Sequence, residues 1–187
     1  MTDIKAYAKR RAALLAQMQH GIAIVPTARE RARNRDSEYL YRFDSYFYYL
    51  SGFHEPEAVL VLIAGAEPQS LLFCREKNLE RETWDGFRYG PEAAKETFGV
   101  DAAYPIGQLD EKLPTLIANQ PALHYAPGMD PDWDARIMRW LGIGGALLTQ
   151  AGTVGPARAG PYGVIRRTHC VPTPRFNRVD YIECAGP

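Results

Sequence analysis

Apolar residues recur along the first 141 positions with alternating helical and strand periods. Ile4, Tyr7, Ala8, Arg11, Leu14, Leu15 and Met18 follow the 3/4 spacing of one buried helical stripe. Thr2 is placed to cap this helix and Gly21 to stop it, and Lys9, Arg10 and Arg11 make its opposite face basic. Gly21 to Pro26 predicts a short strand, followed by a polar run, Thr27 to Glu38. In DSYFYYLSGF, residues 44 to 53, Asp44 is placed to cap one or two helical turns that Gly52 ends. EAVLVLIAG from Glu57 and QSLLFC from Gln69 predict a hairpin of central strands buried on both faces. Pro91 opens a helix over Glu92 to Phe98, and Ala102 to Tyr104 reads as a short strand. Leu109, Leu113, Leu116 and Ile117 mark a further amphipathic helix, and Ala122 to Tyr125 one more strand. Asp130-Pro131 is an N-cap and N1 pair, and Trp133, Ile137, Met138 and Leu141 give the helix after it an apolar face. Strands interleaved with helices predict an α/β fold, a mixed sheet flanked by helices. Beyond residue 141 the pattern stops: residues 142–187 hold eight Gly and five Pro and little periodicity.

Composition narrows the function classes. The 187 residues carry 22 basic and 22 acidic side chains, and 46% are hydrophobic, which fits an ordinary globular chain and excludes wholesale disorder and an overall basic nucleic-acid binder. The longest apolar runs, Ala58 to Ala66 and Gly142 to Leu148, fall short of the ~20 residues of a membrane-spanning helix. The N-terminal MTDIKAYAKRRAALL lacks the apolar centre of a secretory signal, so a cytoplasmic location is expected. Cys74, Cys170 and Cys184 are widely spaced, with no CxxC, and suggest neither a disulfide framework nor a zinc site.

Candidate chemistry is sparse. His54-Glu55-Pro56-Glu57 brings an imidazole near carboxylates, but it has one histidine and a proline and reads as a turn leading into a strand. His124 reads as a core or edge histidine, and Cys74 as a small buried residue. No G-x-S-x-G nucleophile turn is present. Arginines at 29, 31, 33 and 35 followed by tyrosines at 39, 41, 46, 48 and 49 raise the possibility of single-stranded nucleic acid. Glu30, Asp36, Glu38 and Asp44 cancel much of that field, so no nucleic-acid partner is expected, and Tyr46, Tyr48 and Tyr49 are expected to cover a sheet edge. RETWDGFRYG, residues 81 to 90, reads as a polar loop between strand and helix that carries Trp84, Phe87 and Tyr89 with Arg81 and Arg88. Aromatic rings on such a loop signal either a contact with a subunit or ligand, or rings folded back on their own domain. An independent enzyme would have to build its site from the polar stretches 27–38 and 81–90.

Four blocks in order carry a resemblance: R-x-R-D-x-E-Y, D-S-x-F-x-Y-L-x-G-F, E-P-E-A-V-L-V-L and E-x-W-x-G-x-R-x-G. Over about residues 1–141 they resemble the N-terminal domain of bacterial aminopeptidase P, the Xaa-Pro aminopeptidase of the creatinase/prolidase group. The resemblance implies a six-stranded mixed sheet flanked by helices, similar to a ribonuclease H-like fold. It implies that catalysis belongs to a separate C-terminal pita-bread domain, in which two Asp, one His and two Glu hold a pair of manganese ions that act on peptides with proline in second position. It leaves this chain with no metal-binding or catalytic residues of its own, and with a role in oligomer assembly and access to the substrate pocket. The implied partners are a homo-oligomer or the missing catalytic domain, and no membrane. On the loop motif, Trp84 and Arg88 are the residues implied to reach the substrate pocket of a neighbouring subunit. Some relatives carry Asp where this sequence has Tyr46, which can supply no carboxylate and is given no such role.

The resemblance assigns residues 1–141 to that N-terminal domain, with the chain ending before a catalytic domain and expected to be inactive by itself. Residues 142–187 depart from the family, lack its D-E-x-R-x-I-K-like linker, and read as the product of a shifted frame or an unrelated replacement. The alternative is a genuine tail that pairs with the sheet.

Overall fold

The computed structural model describes residues 4–118, 120–142 and 163–166. They fall into two compact units, Met1–Asp110 and Glu111–Pro187. The cap assigned to Thr2 and most of the tail, Cys170 and Cys184 included, lie outside the described residues.

The first unit is a mixed sheet with helices. Its strands are β1 (Gly21–Pro26), β4 (Val59–Ala64), β5 (Gln69–Cys74) and β6 (Ala102–Pro105), and a separate small hairpin is formed by β2 (Ala32–Asn34) and β3 (Ser37–Glu38). β1 pairs antiparallel with β4 and β4 with β5, the latter pairing Leu60 with Leu72 and Val61 with Leu71. β5 pairs parallel with β6, a geometry that needs a crossover, here supplied by α3 (Leu79–Asp85) and α4 (Gly90–Phe98). The hairpin expected from the two apolar runs is present, and β4 and β5 are buried at successive positions, as strands covered on both faces must be. Ala23, Leu60, Leu62, Leu72 and Cys74 share one core with Phe47, Phe53, Ala94 and Phe98.

Local chemistry sets the helix ends. Asp44 Oδ1 accepts the N–H groups of Tyr46 and Phe47 at 2.9 and 2.8 Å, which starts α2 (Ser45–Ser51). Gly52 ends it at φ 71, a left-handed conformation suited to glycine. A Cβ there would also lie 2.6 Å from the Tyr7 ring, so close helix approach and backbone geometry demand the same residue. Tyr46 and Tyr49 are exposed on α2 and do not cover a sheet edge. Tyr48 stacks on Phe43 and Tyr49 lies under the Arg10 guanidinium, because α2 packs against α1 (Ile4–Met18).

Two expectations for α1 are corrected. The helix ends at Met18 because Gln19 adopts φ 60, and Gly21 opens β1 instead of stopping the helix. Arg11, counted with the basic outer face as well as the stripe, is buried. Its guanidinium donates to the carbonyls of Leu50, Phe98 and Gly99, the C-terminal ends of α2 and α4, where unpaired carbonyls and the helix dipoles favour a cation. At the sheet, Asp101 Oδ2 accepts the Ser70 N–H and hydroxyl at 2.6 and 2.7 Å and so aligns the starts of β5 and β6.

The second unit contains α5 (residues 109–118, begun in the first), β7 (Ala122–Tyr125) and α6 (Pro131–Trp140), each where the sequence placed it. Asp130 Oδ1 accepts the N–H groups of Asp132 and Trp133, and Pro131 occupies the first turn. Four residues of the tail, Gly163–Arg166, form β8 and pair antiparallel with β7. No helix among the described residues is long and apolar enough to cross a membrane.

Candidate functional site

The aromatic segment around Trp84 is half helix. Residues 79–85 form α3, where a polar loop was expected, because Asn78 Oδ1 accepts the Arg81 N–H at 3.0 Å and Glu80 and Glu82 occupy the positive first turn. Gly86, at φ 81, ends the helix. Asn-Leu-Glu-Arg-Glu is a legible N-terminal signal that the aromatic residues beside it obscured.

Below α3 lies a bracket of charge. The Lys77 ammonium is 2.7 Å from Glu82 Oε1 and donates to the Arg88 carbonyl at 2.9 Å, while the Arg88 N–H donates to the same Glu82 oxygen at 3.1 Å. The hydrogen bond from Lys77 holds the Glu82 carboxyl below its ordinary value against the opposing effect of desolvation, with the Arg88 N–H adding a weaker contribution. Lys77 also approaches Gly90, where φ is +73 and an added Cβ would stand 3.0 Å from the lysine Cβ. The turn into α4 therefore follows the path that Lys77 leaves open.

A second support comes from further away in sequence. Glu55, 4% exposed in the turn before β4, accepts the Tyr89 N–H on Oε1 at 2.7 Å. Its Oε2 faces Arg75, just after β5, at 3.6 Å. Burial pushes the neighbouring Cys74 thiol up to about 12, with Glu55 adding to the rise and Arg75 opposing it. The Tyr89 ring packs on Phe53 and Phe98. His54 is exposed and its imidazole meets the edge of Tyr89, so the His-Glu pair diverges: the imidazole points to solvent and the carboxylate holds the fold together.

The aromatic residues of the segment divide. Tyr89 folds back on the core, whereas Phe87 is exposed between Lys77, at 4.2 Å from its ring, and Tyr89. Trp84 is 87% exposed on α3, and Leu79, at the start of the same helix, is exposed as well. Arg88, the other residue singled out from sequence, is 8% exposed and sits beneath the helix that presents Trp84. The arrangement is a short helix that presents Trp84 outward, capped at both ends and tied to Lys77 through Glu82. Among the described residues no group of three or more His, Cys, Asp or Glu could hold a metal ion. The donor set for a manganese pair is therefore not found among them. From sequence Glu55 held only a place in a turn, and Arg75 and Lys77 were missed: Glu55 meets the Tyr89 N–H 34 positions on, and Lys77 the Arg88 carbonyl 11 positions on.

Comparison with known proteins bears on what such a contact serves. Residues 7–124 match the family described as aminopeptidase P, N-terminal domain. The Xaa-Pro aminopeptidase of Escherichia coli is 42% identical over 125 residues, and that of Haemophilus influenzae 37% over 123. Each alignment takes in 65% of this chain but only 28% and 29% of the respective relative, so the chain spans under a third of their length. Among solved structures, aminopeptidase PepP of Pseudomonas aeruginosa superposes with a TM-score of 0.72 at 48% identity, over 80% of this chain and 34% of that one. Zinc-substituted E. coli aminopeptidase P in complex with product gives 0.73 at 38% identity, over 75% and 33%.

Proposed function

Because the chain belongs to the aminopeptidase P N-terminal domain family, we propose that its described residues serve an Xaa-Pro aminopeptidase in a non-catalytic capacity, assembling subunits and narrowing access to the substrate pocket. In this reading the parent activity is the manganese-dependent removal of the first residue from peptides with proline in second position. Trp84 makes the contact with a neighbouring subunit, and Arg88 supports it through its backbone bonds to Glu82 and Lys77. A cytoplasmic location and a partner that is either another copy or a catalytic domain belong to the same proposal.

The observation that carries it is the 87% exposure of Trp84 on a helix capped at both ends and tied to Lys77 through Glu82. A large ring held in water gains nothing for its own fold, and its apolar area becomes useful only when a partner covers it. The ion pairs and caps beneath it reduce the ordering cost of that contact.

Acrylamide quenching of tryptophan emission tests the reading. Trp133 is buried and Trp140 half-buried, so the most accessible emission should come from Trp84. It is expected to become protected as protein concentration rises and to be strongly reduced in Trp84→Phe. Quenching that is independent of concentration up to the solubility limit would contradict assembly through this residue.

A further inference from the structure

The arginine-rich run at 29 to 35 has no part in the Trp84 contact, and its charge is arranged differently in space than in sequence. Residues 29–38 are exposed throughout; residues 32–38 build the β2–β3 hairpin and residues 29–31 lead into it. Arg29 and Arg31 line one cleft of about 430 Å³, and Glu30, between them, does not. The opposite wall brings Tyr39, Leu40, Arg42 and Phe43, and the Arg33 guanidinium lies 5.9 Å from the centre of the Tyr39 ring. Asp44 is the one carboxylate on the wall, and its Oδ1 already accepts two amides at the start of α2. The segment is nearly neutral, yet the lining of the cleft carries Arg29, Arg31 and Arg42 against Asp44 as its one carboxylate.

We propose that this cleft binds an extended, carboxylate-bearing polypeptide segment with an apolar residue among its acidic ones. Guanidinium groups pair with carboxylates through two parallel hydrogen bonds, and three of them line the walls. Leu40, 97% exposed beside them, is the apolar anchor that such a segment would cover. The two-stranded hairpin leaves outer edges along which an extended chain can lie. Single-stranded nucleic acid fits less well, because it needs open ring faces for stacking. Here Phe43 is stacked on Tyr48 at 4.1 Å with Arg42 over it, Tyr39 has Arg33 above it, and the Tyr41 hydroxyl is tied to Thr27 at 2.8 Å. This site uses none of the residues of α3, so it stands or falls separately from the Trp84 contact.

The test uses the full chain and fluorescence anisotropy with three labelled probes: a peptide alternating Glu with Leu, the same peptide with Gln for Glu, and oligothymidylate. The acidic peptide is expected to bind, with an affinity that falls as salt rises, and the Gln peptide to bind at least about tenfold more weakly. Arg29→Ala with Arg31→Ala should weaken the acidic peptide about tenfold, and Leu40→Ala alone several-fold. All three positions are solvent-facing, so these variants retain the fold. Removing two cations elsewhere, Lys95→Ala with Arg139→Ala, should leave binding within about twofold. Equal binding of the Gln peptide, binding of oligothymidylate in preference to the acidic peptide, no binding of the acidic peptide, or undiminished affinity in the arginine double variant would each overturn the proposal.

Discussion

Glu55 accepts the backbone N–H of Tyr89 at 2.7 Å from a position closed to solvent, and its other oxygen faces Arg75. One side chain thus joins the turn before β4, the end of β5 and the entry to α4. Removing the carboxylate leaves Arg75 buried without its counter-charge and the Tyr89 amide without its acceptor. Glu55→Ala is expected to cost about 3–5 kcal/mol in urea denaturation. Glu55→Gln keeps an acceptor for Tyr89 and should cost less. Equal stability of Glu55→Ala and the parent chain would show that the bracket does not hold the site.

Arg11 performs a related task on the other side of the sheet's helices, where three carbonyls from two helix ends converge on its guanidinium. Arg11→Met keeps the apolar stem but leaves those carbonyls without a donor, and a loss of about 2–4 kcal/mol is expected. Arg11→Lys should recover only part, since an ammonium lacks the planar fork that spans all three. Chemical denaturation of the two variants checks both statements.

These two residues show where the sequence was readable and where it was not. Asp44, Gly52, Pro91 and Asp130 mark element ends by chemistry that acts within a few positions, so α2, α4 and α6 could be placed from sequence. Arg11 fell on the buried stripe by spacing and on the basic face by charge, and the carbonyls 39 to 88 residues away that decide for burial leave no mark near it in sequence. Trp84 stood out as an aromatic in a polar stretch, but its mounting did not, because Glu55, Arg75, Lys77 and Glu82 converge only when the strands pair. The arginines at 29 and 31 were visible as a run, but adding their charge to that of Glu30 hid that both arginines line one cleft whose lining does not include Glu30.

The Glu82 carboxyl should titrate below its ordinary value in the folded chain, because the hydrogen bond from the Lys77 ammonium favours its charged form. A depressed carboxyl adds stability above its unfolded value, and the contribution disappears as pH falls through the folded value. The turn at Phe87 and Arg88 is therefore expected to loosen in acid below the ordinary carboxylate range. NMR titration of Glu82 checks this, and Lys77→Met should move the midpoint upward. An unchanged midpoint would dissociate Lys77 from the effect.

The described residues are assigned no part in bond cleavage. The purified chain, supplied with manganese, is expected to release no N-terminal residue from an Xaa-Pro peptide. Release that is abolished by a chelator would place catalytic groups within the chain and overturn the non-catalytic reading.

The central claim is that Trp84 is exposed in order to be covered by a neighbouring subunit. Trp84→Ala changes a residue 87% exposed and replaces it with a better helix former, so its effect on folding should stay within about 0.5 kcal/mol. Sedimentation velocity over a range of concentrations compares the two chains directly. The parent chain is expected to associate as concentration rises, and Trp84→Ala to remain monomeric over the same range. A parent chain that stays monomeric throughout, or a variant that associates equally well, would contradict the account.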